Sequence, residues 1–483
     1  MSRLSRREFL TRATLASLGL LVLPHCKKNT EGEEKPPADN KLNIIVIGAG
    51  ISGLAAAKTL LNAGHNVNIL EASMRFGGRI QTIDLDGYKA DFGASWIHGI
   101  EGNPLYKLAN NNNILTKATY YDPSYIFDLN GEEITDTDWA IIENLFVQLY
   151  DLASENLDAS LQGLLDIMKP NLNLTDKLTR TWYGAVRSEY EIPYAVDAAD
   201  ISAKAIIGND SFPGEDVIFP MGMQSLCNVL ADGLKIEYNA FVSKITYNNN
   251  QVSIYVNKAD DIDRLRACNA CHSQGEASFL QSSDIRKADK VIIALPLGML
   301  KNNIIAFEPS LPPNKKEAIK SLGIGTMNKV FLKFHESFWH HDAYFLEHLK
   351  EKSSQIIEFF SPLPTGTSNI LIAVFSGQQA RSIEHMDKNQ LQELVMNELK
   401  AMYGQAIPEP ISMEKTSWHT HPFALGSYPH LKPGSDITAC DIIATPLENK
   451  VYFAGDATSK EYMATAHGAY LSGIHAASTL LKS

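Results

Sequence analysis

Positive charge, long apolar runs and cysteine are what this 483-residue chain is short of. Lysine and arginine number 43 against 55 aspartates and glutamates, a formal net charge of −12, so nothing draws the chain to a phosphate backbone and a nucleic-acid partner is excluded. The leading apolar run, residues 13–23, falls short of the about 20 residues that a membrane-spanning helix needs. No internal repeat is present, which removes the solenoid architectures. Of the five cysteines, Cys227 and Cys440 read as ordinary buried thiols. What the chain does have is length and 45% hydrophobic content, enough for one or two large cores and, as the natural expectation, two interleaved domains.

The N-terminus reads as an address. Ser5-Arg6-Arg7-Glu8-Phe9-Leu10 ahead of the apolar run is a twin-arginine export pattern, a route that carries folded, cofactor-loaded proteins. Leu23-Pro24-His25-Cys26 loosely resembles a lipobox, with Cys26 as the acylation candidate, although the Pro-His pair departs from the usual small residues. Residues 30–40, rich in Glu, Lys and Pro, form a solvated linker. The expectation is a periplasmic protein or a membrane-anchored lipoprotein. Loss of residues 1–25 would remove four arginines against one glutamate and move the net charge from −12 to −15, which favours cationic small molecules.

Chemistry begins at residue 44. An apolar strand, residues 44–47, runs into Gly48-Ala49-Gly50-Ile51-Ser52-Gly53 and then a helical pattern with Leu54, Ala57 and Leu61 on one side. Glycines in that order allow a tight turn, close approach of backbone to phosphate, and close packing of helix on strand. The helix N-terminus offers unpaired N–H groups to an anion. A second strand, residues 67–70, ends at Glu71, whose carboxylate can accept both ribose hydroxyls of an adenosine. Strand, turn, helix, strand and acid in register predict a dinucleotide site with Gly48, Gly50, Ser52, Gly53 and Glu71 as its contacts. The motif alone does not separate NAD from FAD. Beyond Glu71, Arg75-Phe76-Gly77-Gly78-Arg79 adds an amide-rich turn and a guanidinium able to grip a pyrophosphate bidentately; a surface ion pair is the plainer reading of Arg79.

This E-x3-R-x-GGR arrangement resembles the FAD-dependent amine oxidases, and the likeness continues in family order to the C-terminus. Phe92-Gly93-Ala94-Ser95-Trp96-Ile97-His98-Gly99 followed by Gly102-Asn103-Pro104 is similar to the polyamine and spermine oxidase branch. ADKVIIALPLGMLK (288–301), FEPSLPPNKKEAI (307–319), GTMNKVFLKF (325–334), GSYPHLKPG (426–434) and VYFAGDATSKEYMATAHGAYLSGIHAA (451–477) follow; only residues 120–215 are poorly marked. The resemblance implies an α/β fold in which a Rossmann-like, GR2-type FAD-binding domain is interleaved with an α+β substrate-binding domain of mixed sheet and helices. On that expectation residues 1–40 are signal and linker; 41–115, 216–305 and 426–483 build the FAD domain; and 116–215 and 306–425 build the substrate domain. Trp139 to Leu172 carries helical periodicity, with Ile141, Ile142, Leu145 and Phe146 clustered.

Roles for single residues follow from the same likeness. Lys329 matches the lysine that holds a water against flavin N5; alternation alone places Lys329, Phe331 and Lys333 on one strand face without saying which face meets a pocket. His98 matches a histidine beside the substrate path, where a neutral imidazole could accept a hydrogen bond from an amine; a structural histidine is the alternative. Lys329 and His98 are the catalytic candidates. Gly93, Ala94, Ser95, Trp96, Val242, Trp418 and Asp456 join the cofactor contacts, Asp456 where the family commonly has Glu. Tyr428 and Thr465 match the two walls of the family's aromatic sandwich, and with His98 are the substrate contacts; Thr465 also faces the cofactor. Ser-Trp-Ile-His stands where amino-acid oxidases carry a carboxylate-gripping arginine, which disfavours that activity. Ser427 stands where monoamine oxidases carry the cysteine that joins flavin, so FAD is expected to be noncovalent, and no metal site is expected. The implied reaction oxidises a polyamine-like amine to an imine, hydrolysed to aldehyde and amine, while O2 becomes hydrogen peroxide. An amine dehydrogenase passing electrons to a cytochrome c or quinone, and a flavin-binding redox partner without amine turnover, are the alternatives.

One feature lies outside the family pattern. An insert at 257–287 contains Cys268-Asn269-Ala270-Cys271-His272, the attachment motif of c-type haem with His272 as axial ligand. The insert is far shorter than a cytochrome domain and has no methionine, so a local disulfide in an oxidising compartment is the preferred reading, with haem second and zinc behind both.

Overall fold

The computed structural model describes residues 41–483 apart from 129, 209–210, 259–283, 350–356, 363 and 365–367. The export segment, Cys26, Cys268, Cys271 and His272 therefore lie outside the described residues. Among those described, no helix is long and apolar enough to cross a membrane.

Two sheets organise the chain. The first has five parallel strands in the order Val451–Phe453, Lys290–Ile293, Asn43–Ile47, Asn66–Leu70 and Ile236–Glu237. Its central strands read as apolar runs because both faces are covered. On one face the helix Ile51–Asn62 packs against the C-terminal helix Ala466–Leu481. Contact is close because small residues meet there: a Cβ on Gly473 would lie 2.1 Å from the Ser52 carbonyl oxygen. Leu54 and Ala57 are buried as the pattern predicts, but Leu60 takes the core place and Leu61 is exposed. The other face meets a smaller sheet of Asp284–Ala288, Val252–Asn257, Phe241–Tyr247 and Ala306–Glu308.

The second large sheet has six strands, ordered Ser412–Lys415, Met327–Lys333, Ile370–Ser376, Ile357–Phe360, Phe345–His348 and Ser124–Phe127, antiparallel until the parallel last pair. Val330 and Leu332 point to one face, where Leu391, Val395 and Leu399 of the helix Lys388–Tyr403 cover them. Lys329, Phe331 and Lys333 take the opposite face. Helices Asp136–Glu155, Leu161–Met168 and Asp176–Tyr194 supply a separate core around Trp182. Ile142, Leu145 and Phe146 enter it, whereas Ile141 is at the solvent side of its helix.

Two expected boundaries look different in three dimensions. A three-stranded sheet joins Trp96–Ile97, Asp216–Ile218 and Lys117–Thr119, so strand pairing crosses both 115/116 and 215/216. The tail of the expected insert is a strand: Asp284–Ala288 pairs antiparallel with Val252–Asn257, Asp284 opposite Val256, which shortens the connection to residues 258–283 and brings its two ends together.

Candidate active site

The sharp turn after strand Asn43–Ile47 is set by Gly48, at φ +99°, where a Cβ would lie 2.4 Å from the Ala294 oxygen. Gly53 is as constrained, since its Cβ would fall 2.0 Å from the Gly48 oxygen. Gly50 is the contrast: extended, at the N-cap of helix Ile51–Asn62, with no side chain capping the helix and nothing within 4 Å of where a Cβ would stand. With no side chain capping the helix, the first-turn amides of Ser52 and Gly53 have no cap partner, the condition for an anion to approach. Gly77 bridges to Gly50 and donates to the Ala49 oxygen at 2.8 Å, closing the cradle's side. Glu71, buried at the end of the second strand, accepts the Ala49 amide on Oε2 at 2.7 Å and the Ser73 amide and hydroxyl on Oε1. Oε1 thus accepts twice, while Oε2 keeps a second lone pair for a ribose hydroxyl. The Ala240 amide donates to the Glu71 carbonyl, which fixes buried Val242 beside that strand end. These residues fit a dinucleotide.

Arg79 and Asp456, 377 positions apart in sequence, hold each other by two parallel bonds of 2.8 Å, and Arg79 also donates to the Ser427 carbonyl. Only 6% of the Asp456 side chain is exposed, so this is no surface pair. The Arg79 guanidinium fork expected on a pyrophosphate is paired here with Asp456. Ser427, a residue later than the glycine of GSY, exchanges hydrogen bonds through its hydroxyl with both the amide and the carbonyl of Met327. It has no thiol for a flavin linkage.

Lys329 reaches from the middle of its strand into the loop after strand Tyr88–Asp91. Its ammonium donates to the Asp91 carbonyl at 2.9 Å, the Gly93 carbonyl at 2.8 Å and the Ser95 hydroxyl, and lies 5.7 Å from the Trp96 ring centre. Burial drives the lysine's pKa down, with the nearby Asp91 carboxylate opposing; burial pushes that of Asp91 up. Gly93 is obligatory because a Cβ would meet the Arg79 oxygen at 1.8 Å, and the Ala94 amide donates to that same oxygen. Trp418 closes over Gly93 and donates from Nε1 to the Phe92 carbonyl at 3.0 Å. Phe92 stacks on Phe331, which pins the loop to the sheet.

A cavity of about 680 Å³ opens beside this cage. Lys329, Ser95 and Trp96 line it together with Ile218, Phe360, Ile372 and Val374, and Lys89, Asp91 and the Lys333–Asp86 ion pair stand at it too. His98, Tyr428 and Thr465 are not among its lining residues. His98 sits two residues past Trp96 with its side chain half-exposed and Nδ1 2.9 Å from Asp216 Oδ2. Tyr428 donates to the Pro193 carbonyl at 2.8 Å, and burial raises its phenol pKa. Thr465 caps the C-terminal helix, its hydroxyl accepting the Gly468 amide and donating to the Tyr462 carbonyl. Sequence reading missed Asp91, Asp216 and Asn328. Asn328 accepts from the Thr416 hydroxyl and the Trp418 amide and so sets the tryptophan. Asp91 and Asn328 each adjoin a matched residue, Phe92 and Lys329, whereas nothing in the sequence marks Asp216. Cys227 and Cys440 are buried free thiols. Among the described residues no group of three or more His, Cys, Asp or Glu is placed to hold a metal.

A dinucleotide cradle closed by the C-terminal segment and abutting a buried lysine at a cavity of mixed polar and apolar lining defines a flavoprotein of the two-domain oxidoreductase class. The chain belongs to the flavin-containing amine oxidoreductase family, whose sequence profile matches residues 51–481. It is 30% identical to lysine-specific histone demethylase 1 homolog 2 of Arabidopsis thaliana over 92% of this chain and 59% of that one. It thus spans less than two thirds of that relative. Polyamine oxidase 4 of Oryza sativa subsp. japonica is 31% identical over 95% of this chain and 91% of its own. Probable polyamine oxidase 4 of Arabidopsis thaliana is 30% identical over 90% and 86%. A solved putrescine oxidase double mutant, redesigned in cofactor binding, superposes with a TM-score of 0.71 at 19% identity, covering 92% of this chain and 99% of the other. FAD, held noncovalently, is the cofactor this family and cradle require.

Proposed function

We propose that the chain oxidises a polyamine-like primary or secondary amine to an imine, which water hydrolyses to an aldehyde and an amine, with O2 taking the two electrons and two protons to become hydrogen peroxide. The observation that carries this reading is the caged Lys329 at a cavity that Trp96, Phe360 and Ile372 also line. Bound FAD supplies the acceptor for a hydride equivalent from the carbon next to nitrogen. The chain's own residues do the rest. Lys329, whose three N–H donors go to the Asp91 and Gly93 carbonyls and the Ser95 hydroxyl, fixes Ser95 and the loop that carries it at the site. Trp96, Phe360 and Ile372 desolvate the amine's carbon body. His98 accepts the proton that the ammonium must lose before its lone pair is available. Relatives named as polyamine oxidases favour this class of amine.

Spermine, spermidine and putrescine should each be tried anaerobically on purified protein. Loss of flavin absorbance, then its return with stoichiometric peroxide in air, is the expected result; no bleaching by these three overturns the polyamine reading, and none by any amine favours a flavin-binding redox partner. The Cys268-Cys271-His272 motif favours the dehydrogenase alternative, and bleaching with slow return in air but fast return with cytochrome c would select it. We also propose twin-arginine export and, at Cys26, lipid attachment. Replacing Arg6 and Arg7 by lysine should retain the protein in the cytoplasm on cell fractionation.

A further inference from the structure

We propose that Asp216 is the positioning residue of His98: it fixes the ring in one orientation and in the Nδ1–H tautomer, so that Nε2 is the nitrogen that takes the proton from the substrate ammonium. This rests on the amine-oxidising reading above. Three donors converge on the Asp216 carboxylate. The Gly99 amide donates to Oδ1 at 2.9 Å, His98 Nδ1 lies 2.9 Å from Oδ2, and the Tyr121 hydroxyl reaches Oδ2 at 3.4 Å. Asp216 is 4% exposed and opens the strand Asp216–Ile218, and its carbonyl accepts from the Thr119 hydroxyl. A buried carboxylate so surrounded is held in a single place.

The histidine is equally fixed at its backbone. Its carbonyl accepts from the Asn103 side-chain Nδ2, and the next residue, Gly99, holds φ +68° where a Cβ would lie 1.8 Å from the Phe212 oxygen. Half-exposure of the ring therefore does not make it a mobile surface group. An ionised carboxylate on Nδ1 demands a hydrogen there, which leaves the lone pair of a neutral ring on Nε2. When the substrate ammonium gives up its proton, one N–H bond breaks at the amine and one forms at Nε2, and the imidazolium is stabilised by Asp216. His467, buried nearby with Nδ1 facing Asn103, stays neutral because burial and the neighbouring His98 both depress its pKa, so it does not compete for that proton.

Asp216→Asn tests this, because the asparagine oxygen can still accept from Gly99 while its amide would donate to His98 Nδ1 and force the proton to Nε2. Nitrogen-15 NMR of FAD-loaded, histidine-labelled protein, with His98 assigned by its loss in His98→Asn, should show Nδ1–H in the parent and Nε2–H in the variant. The rate constant kcat/KM for the amine should fall roughly 10²-fold, with retained flavin absorbance as the folding control and Asp216→Glu restoring part of the loss. An Nε2–H tautomer in the parent overturns the proposal even if the variant does not fold. So does an unchanged kcat/KM in Asp216→Asn when His98→Asn is slow. The tautomer is read without turnover, so its failure is distinct from failure of any amine to bleach the flavin.

Discussion

At the scale of single residues, the site is governed by what burial does to charge. Lys329 is a cation whose partners are two carbonyls and a hydroxyl, with the Asp91 carboxylate acting on it through space. Lys329→Met keeps the length and removes the charge, so FAD should remain bound while flavin reduction or its reoxidation slows by at least about tenfold in stopped-flow traces, a loss within the range for a positioned proton-handling group. Unchanged rates in both half-reactions would remove Lys329 from the chemistry. His430 shows the same physics without function. Burial pushes its imidazole down from 6.5 to about 4. Between those values the unfolded chain binds a proton that the folded ring refuses. The stability that the neutral ring contributes, up to about 3 kcal/mol, is full above pH 6.5 and lost as pH falls toward 4. Glu191, pushed up to about 7 by burial, works oppositely: its contribution is full below 4.5 and lost as pH rises to about 7. Comparing His430→Gln with the parent isolates the histidine, and its melting temperature should fall less steeply from pH 6.5 to 4.

At the scale of elements, the first strand, turn and helix divide two glycine roles that the motif writes with one letter. Gly48 sits at positive φ against the Ala294 oxygen, while Gly50 borders open space. Gly48→Ala should therefore damage the fold itself, lowering the melting temperature and the yield of soluble protein. Gly50→Ala should leave the apoprotein's circular dichroism and melting intact yet abolish flavin absorbance near roughly 450 nm, since the new methyl fills the approach to the helix amides. Normal FAD content in Gly50→Ala would mean that the pyrophosphate lies elsewhere. The six-stranded sheet makes a comparable division, placing Val330 and Leu332 under a helix and Lys329 toward the flavin loop.

At the scale of the whole molecule, the cofactor site is a meeting of distant chain. Arg79 pairs with Asp456, Trp418 donates to Phe92, and Lys329 donates to Asp91, so the site exists only when both large sheets are docked. Binding to the folded state alone should raise the melting temperature with FAD concentration, by about 2.7 kcal/mol of added stability at a hundredfold excess over Kd. Flavin fluorescence should appear at the same temperature as loss of secondary structure. Flavin leaving well before unfolding would contradict a site shared by three segments.

The sequence by itself determined the cradle and the family, because glycine spacing, an acid at a strand end and ordered blocks are local patterns that backbone sterics enforce within a few residues of each other. It also offered Lys329, Arg79, Trp418 and Asp456 as candidates for the site. Only the tertiary structure decided which face of the strand carries Lys329, that Arg79 spends its fork on Asp456, that Thr465 spends its hydroxyl on a helix cap, and that Asp216 stands behind His98. Those facts are pairings between residues tens to hundreds of positions apart. Period-two alternation is blind to them, since it gives both faces of a strand and leaves the choice to whatever packs against each.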